Sequence, residues 1–236
     1  VYFPEEDVKM AYGQMEEEFM RQAAETPAAT PAAAPGPQSA AFSLLASPAL
    51  ADQPDANRTY SFAEIMAVMR GMGMEDVRQA YAARGQRLAV IEGLLGAGAL
   101  GIAADGMVAL VPDAKRPADA LTAARELLLT SDATVTTDSA TPAFVLAWLQ
   151  NLLTAENANR TLIISGMGRA MVKLMTENNP QALEQDPNVQ AAMTLVPRKM
   201  YAEYEQEHAQ DAWWVQLPDS SWAVKNPAPA PAPAAQ

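Results

Sequence analysis

The chain has no cysteine and a single histidine, His208. Without thiols there can be no disulfide and no thiolate metal site, and an absence of cysteine suits either redox compartment. The one imidazole, beside Glu205 and Glu207, has no second histidine with which to hold a metal, and a cation is tolerated near the helix end where it falls. Basic residues are few, with 16 Lys and Arg against 28 Asp and Glu and a net charge of −12. That balance argues against nucleic acid, whose binding rests on neutralising phosphates, and against a patch drawn to anionic lipid. No apolar run reaches about 18 residues, so no membrane-spanning segment is expected. No serine stands in a G-x-S-x-G setting, which leaves nucleophilic hydrolysis without support. Aromatics are only 6%, yet three of the four tryptophans, Trp213, Trp214 and Trp222, crowd into one short stretch near the C-terminus.

What is present divides the 236 residues into four parts. Residues 1–25 begin "VYFPEEDVKMA", a short extended stretch followed by a helix with Pro4 in its first turn and Glu5, Glu6 and Asp7 at its positive end. Val8, Ala11, Met15 and Phe19 form its apolar stripe. Residues 26–57 form a linker with six prolines and one apolar island, Phe42 to Leu45. Residues 58–225 carry the main domain, and residues 226–236 are a Pro/Ala tail with no means of packing. In the main domain "SFAE" at Ser61 to Glu64 is a capping box. Helices are expected after it, with breaks near Gly85 and Pro197, and a long one opens at Thr141-Pro142. Asp105-Gly106 and "LPDSS" mark two hairpins. The expected fold is mainly α: a helical domain with two short β-hairpins, preceded by a tethered N-terminal helix. A hairpin beside a solvated tail stays ordered by burying large side chains, so Trp213 and Trp222 are expected to be buried.

Few residues suggest chemistry. Gly96, Gly98 and Gly101 satisfy G-x-G-x-x-G, but the Asp105-Gly106 turn follows too soon for the helix that a dinucleotide site needs, and a helix C-terminus leading into a hairpin fits better. Glu156 and Arg160 can pair across one helical turn, for a few tenths of a kcal/mol at a surface, while Asn157 can tie the helix to a neighbouring loop. No second acid, base or nucleophile accompanies Glu156, so a structural role is favoured over a catalytic one. Met66, Met69, Met72 and Met74 are soft thioethers suited to Cu(I), but Met66 and Met69 lie at the ordinary spacing of a core face. A Met-lined groove for a flexible apolar partner is the more useful reading. Val1, Tyr2 and Phe3 favour extended backbone and are candidates for strand addition to a partner, with packing of their helix on its own domain as the alternative.

Four stretches, "VYFPEEDVKMA", "LLGAGALGIAADGMVAL", "AENANR" and "AWWVQLPDSSWAVK", occur in an order that resembles the YdbL-like family of periplasmic proteins. That family shows "VYFP" before an Ala-rich helix, then "SGAIG" or "GALG", "ENADR", and a closing "GWWYQDADGKWxxK". The chain departs from the pattern where Ala212 replaces the glycine before the aromatic pair and where Ser220-Ser221 replace the glycine of the final turn. The stretch "TLIISGMGRAM" after "ENANR" and a longer spacer around residues 127–147 also differ. The resemblance implies a non-enzymatic accessory protein in the periplasm or at the outer membrane, without a cofactor, that binds another envelope protein. It suggests an AsmA-like lipid-transport bridge protein or a small outer-membrane lipoprotein as that partner. A binding module for a lipid tail or other apolar small molecule is the alternative. The chain starts at Val1 rather than Met, and removal of a signal peptide upstream is one expectation.

Overall fold

The computed structural model describes residues 2–25, 58–178 and 187–227. Val1, the linker at 26–57 with its Phe42–Leu45 island, and the tail from 228 lie outside the described residues. The elements in chain order are α1 (Glu5–Glu25), α2 (Phe62–Gly71), α3 (Glu75–Gly96), β1 (Leu100–Ile102), β2 (Val108–Leu110), α4 (Ala120–Ser131), α5 (Pro142–Asn178), α6 (Pro187–His208), β3 (Trp214–Gln216) and β4 (Trp222–Val224). The fold is mainly α with a small sheet, as expected.

Helix starts follow local chemistry. Ser61 caps α2 with the reciprocal Ser61–Glu64 box. Thr141 Oγ1 accepts from the Phe144 amide at 3.3 Å where α5 begins. At the end of α3, Gly98 adopts φ +71°, its amide donates to Leu95 O at 3.1 Å and the Ala99 amide donates to Leu94 O at 3.0 Å. This is a Schellman stop: Gly96 and Gly98 form a helix C-terminus and Gly101 lies in the first strand of the hairpin that follows, as expected.

Two expected breaks do not occur. α3 runs unbroken through Gly85, and α6 runs through Pro197. A glycine inside a helix costs about 1 kcal/mol and a proline about 3 kcal/mol. Burial outweighs both. Tyr81 and Arg84 are buried beside Gly85, and the buried Tyr12 ties α6 to α1 at the proline itself, its Oη donating to Pro197 O at 3.0 Å.

The hydrophobic residues sort into two clusters. One gathers α1, α2, the first half of α3, the second half of α5 and α6 around Tyr12, Tyr60, Ile65 and Met171. The other gathers the end of α3, α4, the first half of α5 and the sheet around Leu94, Leu100, Leu128 and Leu149. α5, with 37 residues, belongs to both.

The N-terminal segment is part of the first cluster. Val8, Ala11 and Met15 are buried, and Phe3 stacks on Tyr60 with ring centroids 5.1 Å apart. The Tyr2 amide donates to Arg58 O at 2.9 Å and the Tyr60 amide donates to Tyr2 O at 3.1 Å, forming a parallel bridge to Thr59. Of the two arrangements considered for residues 1–25, the structure has the docked one. Tyr2 is exposed, but its main chain is already paired and Phe3 is covered.

The two hairpins are not separate. They join into one sheet ordered β2-β1-β3-β4, with β1 and β3 parallel and the outer pairs antiparallel. Gly101 permits the junction: a Cβ there would meet the Trp222 ring and lie 2.7 Å from Trp214 O. The expected burial of Trp213 and Trp222 is corrected here. Both are half-buried, as is Trp214, because strands of only three residues cannot cover a whole indole. The fully enclosed sheet positions are Leu100 and Ile102.

Three non-glycine residues among those described sit at positive φ: Ala212, Ser220 and, just after β4, Asn226. Ala212, at φ +69°, and Trp213 together oppose Lys225, so Ala212 is the first residue of a bulge that usually carries glycine. Ser220, at φ +66°, ends the three-residue loop of the second hairpin, again a glycine position. Asp219 supports that loop by accepting from Ser221 N at 2.9 Å and Ser221 Oγ at 2.6 Å.

Ala212→Gly and Ser220→Gly should each stabilise the fold by about 0.5–1 kcal/mol by removing left-handed strain. Denaturant melts that show no gain would contradict this conformation. Deleting residues 1–25 should lower the melting temperature sharply, since it uncovers the first cluster. An unchanged melting temperature would mean that α1 is dispensable to the core.

Candidate functional site

In α5 the positions Leu149, Leu153, Glu156, Arg160, Ile163 and Met167 follow one helical stripe, and two of them are charged. Glu156 and Arg160 are each 2% exposed. The expectation of a surface ion pair is therefore corrected: this pair lies in the interior. In α3 the stripe Val77, Tyr81, Arg84, Leu88, Ile91, Leu95 also carries one charge, at Arg84, which is 5% exposed.

The two stripes meet at the charges. Glu156 Oε1 accepts from Arg84 Nε at 2.8 Å and from Arg160 Nε at 3.0 Å. Arg87 Nη2 donates to Glu156 Oε2 at 3.3 Å. From α6, Glu205 Oε2 lies 2.8 Å from Arg160 Nη1, and Glu205 Oε1 accepts from Arg84 Nη2 at 3.3 Å. From α1, Glu16 Oε1 pairs with Arg84 Nη1 at 3.3 Å, and Glu16 Oε2 accepts from Tyr204 Oη at 2.9 Å. Arg160 Nη1 also donates to Gly106 O at 2.7 Å, which fixes the first hairpin turn. Four helices and that turn thus converge on one network.

Electrostatics keeps the network ionised. Burial pushes the Glu156 carboxyl upward, but Arg84 and Arg160 outweigh it and hold the group below the ordinary carboxylate range. Glu205 follows the same pattern: burial raises it, and Arg160 and Arg84 bring it lower overall.

Asn157 is a half-buried neighbour of this network with a different task. Its Oδ1 accepts from Val108 N at 2.9 Å and its Nδ2 donates to Val108 O at 2.9 Å. The side-chain amide stands in for a further strand along β2, so the partner of Asn157 is a sheet edge rather than the loop that was expected. At the other end of the sheet, Lys225 Nζ donates to the carbonyls of Gln206, Glu207 and Ala209 at 2.9, 2.7 and 2.6 Å. It closes the C-terminus of α6, where cations are favoured.

The other candidate residues fall elsewhere. Met66 and Met69 are buried in the first cluster, and Met72 is partly buried against it. Met66, Met69 and Met74, with Met15 and Phe19, line a small cavity of about 130 Å³ that Glu18, Arg70 and Arg78 also border and Met72 does not reach. Trp213 lines a separate cavity beside the charge network, Trp214 lies within β3, and Trp222 packs over Gly101. The sequence reading missed Arg84, Arg87, Glu205, Glu16 and Lys225. The signal for Arg84 was a charge inside an apolar stripe, since buried charges are rare unless paired. Among the described residues no group of three or more His, Cys, Asp or Glu is arranged to hold a metal ion, and no helix is long and apolar enough to cross a membrane.

Glu156→Gln leaves two buried guanidinium groups short of a counter-charge, and should cost about 3–5 kcal/mol at neutral pH in a chemical melt. The folded-state carboxyls of Glu156 and Glu205 lie below their ordinary value of 4.5. Their contribution is therefore complete above pH 4.5 and is lost as pH falls through the folded values. The variant should lose less stability on acidification than the wild type. Parallel acid profiles would mean that the network does not control acid stability.

No family model, curated protein or solved structure matches the chain.

Proposed function

We propose that this chain is a non-enzymatic accessory protein of the cell envelope that binds another envelope protein through the open edge of its sheet. The observation that carries the reading is the contrast between the two edges. On β2 alternation turns Val108 and Leu110 outward, and both main-chain groups of Val108 are taken by Asn157. On β4, Lys225 N donates to Trp213 O at 2.8 Å and Leu217 N donates to Ser221 O at 2.8 Å, so alternation turns the main-chain groups of Trp222 and Val224 outward. Among the described residues nothing bonds to those groups. An extended segment of a partner can add there, gaining main-chain hydrogen bonds, with the half-buried Trp222 and Val224 beside it.

The YdbL-like resemblance agrees with two features of the fold. Ala212 and Ser220, which replace the glycines of the family's closing motif, hold the left-handed backbone that glycine would adopt. The "ENANR" stretch supplies three residues with separate structural tasks, the ion network, the β2 edge and the first turn. If the chain belongs to that family, an AsmA-like bridge protein or a small outer-membrane lipoprotein is the partner to test first, in the periplasm or at the outer membrane. The lipid-tail reading has less support: the cavities beside the charge network and under the methionines measure about 180 and 130 Å³, below the roughly 300 Å³ of ordinary ligand pockets. The wider one of about 400 Å³ beside α6 is lined by the charged Asp105, Arg198, Lys199 and Glu203.

Val224→Pro removes one outward amide and none of the bonds to β3, a substitution that edge strands tolerate. Its melting temperature should stay near that of the wild type while capture of the bridge protein or lipoprotein from envelope extract falls at least about tenfold. Undiminished capture by the variant would exclude the β4 edge as the binding surface.

A further inference from the structure

The charge network forms one wall of a cavity of about 180 Å³ between α1, α3, α6 and the start of β3. Its opposite wall is apolar, with Leu88, Ile91 and Leu95 from successive turns of α3, and Trp213 adds an indole. A space of about 150 Å³ already accommodates a molecule the size of benzene. The cavity is thus sized for a small amphipathic molecule and too small for an acyl chain.

Its polar groups do not balance among themselves. The lining holds Glu16, Glu92, Glu156 and Glu205 against Arg84 and Arg160, and the exposed His208, formally neutral at pH 7, lines it as well. Arg87 behind Glu156 supplies a third positive charge, which still leaves one carboxylate in excess. The excess is at Glu92: it is half-buried, and no hydrogen bond or ion pair reaches it among the described residues. Arg84 does not serve as its partner: Arg84 Nη1 is buried and faces Glu16 as an ion pair at 3.3 Å.

A ligand that completes this lining has one positive charge and a short apolar body. We propose that the cavity binds a small organic monocation. Its ammonium pairs with Glu92, and its hydrocarbon lies against Leu88, Ile91 and Leu95. An anion would add a further negative charge to four carboxylates. A neutral alcohol would leave Glu92 unpaired. The indole of Trp213 adds an aromatic face of the kind that attracts cations. This site is independent of the β4 edge and of any protein partner.

Titration calorimetry on the full chain, with three probes of one carbon skeleton, tests the proposal. Leucinol is the cation, 4-methyl-1-pentanol the neutral probe and isocaproate the anion. Leucinol should bind at least about tenfold more tightly than either of the others. Glu92→Gln should weaken leucinol by about tenfold or more with the melting temperature unchanged, since Glu92 has no partner to lose. Leu88→Trp, which fills the cavity from a partly exposed position, should abolish binding. The proposal is overturned if isocaproate binds as tightly as leucinol, if either variant leaves leucinol affinity intact, or if leucinol gives no binding up to millimolar concentration.

Discussion

The carboxylate of Glu156 lies between two guanidinium groups, one from its own helix and one from α3, and the spatial relations of the fold depend on that contact. Glu205 brings α6 to the same arginines, Glu16 brings α1, and the second guanidinium nitrogen of Arg160 holds the Gly106 carbonyl. Such a network is not a strong source of net stability, because desolvation offsets most of the Coulombic gain. Its effect is on alternatives. A one-residue rotation of α3 against α5 would carry Arg84 away from Glu156 and leave buried charges unpaired, whereas sliding an all-apolar stripe would cost only imperfect packing. The network selects one register among helices whose alanine-rich surfaces would otherwise discriminate poorly.

The residue next to Glu156 extends that control to the sheet. A four-stranded sheet of three-residue strands has little area to bury and two edges to manage. Asn157 caps one edge at Val108 with both halves of its amide, so a single turn of α5 fixes the helix core through Glu156 and Arg160 and anchors the β2 edge through Asn157. β4 has no equivalent. Its outward groups are left to solvent or to a partner, and the asymmetry gives the molecule a direction in which an added strand can extend the sheet. Parallel pairing of β1 with β3 is also uncommon between two hairpins, and it depends on the missing side chain at Gly101.

The N-terminal segment takes no part in that openness. Its apolar stripe completes the first cluster, the main chain of Tyr2 is paired with the strand-like entry to α2, and Lys9 Nζ donates to Glu207 at 2.7 Å across to α6. Burial disfavours the charged form of Lys9, but the Glu207 contact is larger and raises the pKa of the ammonium. A segment held by stacking, main-chain pairing and an ion pair behaves as part of the core, and its removal acts on folding before it acts on recognition.

Much of this architecture was determined by the sequence alone. The Ser61–Glu64 box, the glycines after α3, the Asp105-Gly106 turn and Thr141-Pro142 encode local hydrogen bonds and backbone angles, so element types and most boundaries could be read from neighbours in the chain. The apolar stripes also showed which faces are buried. Contacts between stripes distant in sequence were not encoded locally. Gly85 and Pro197 looked like breaks because propensity counts only a residue's own helix, and tertiary burial overrode it. Glu156 and Arg160 looked like a surface pair because spacing reveals the pair but not what covers it. Arg84 and Glu205, distant along the chain, decide that environment. The merger of two hairpins into one sheet, the capping of one edge by Asn157 and the half-burial of the tryptophans were likewise decided only in the tertiary structure, because each depends on which surfaces meet once the helices are in place.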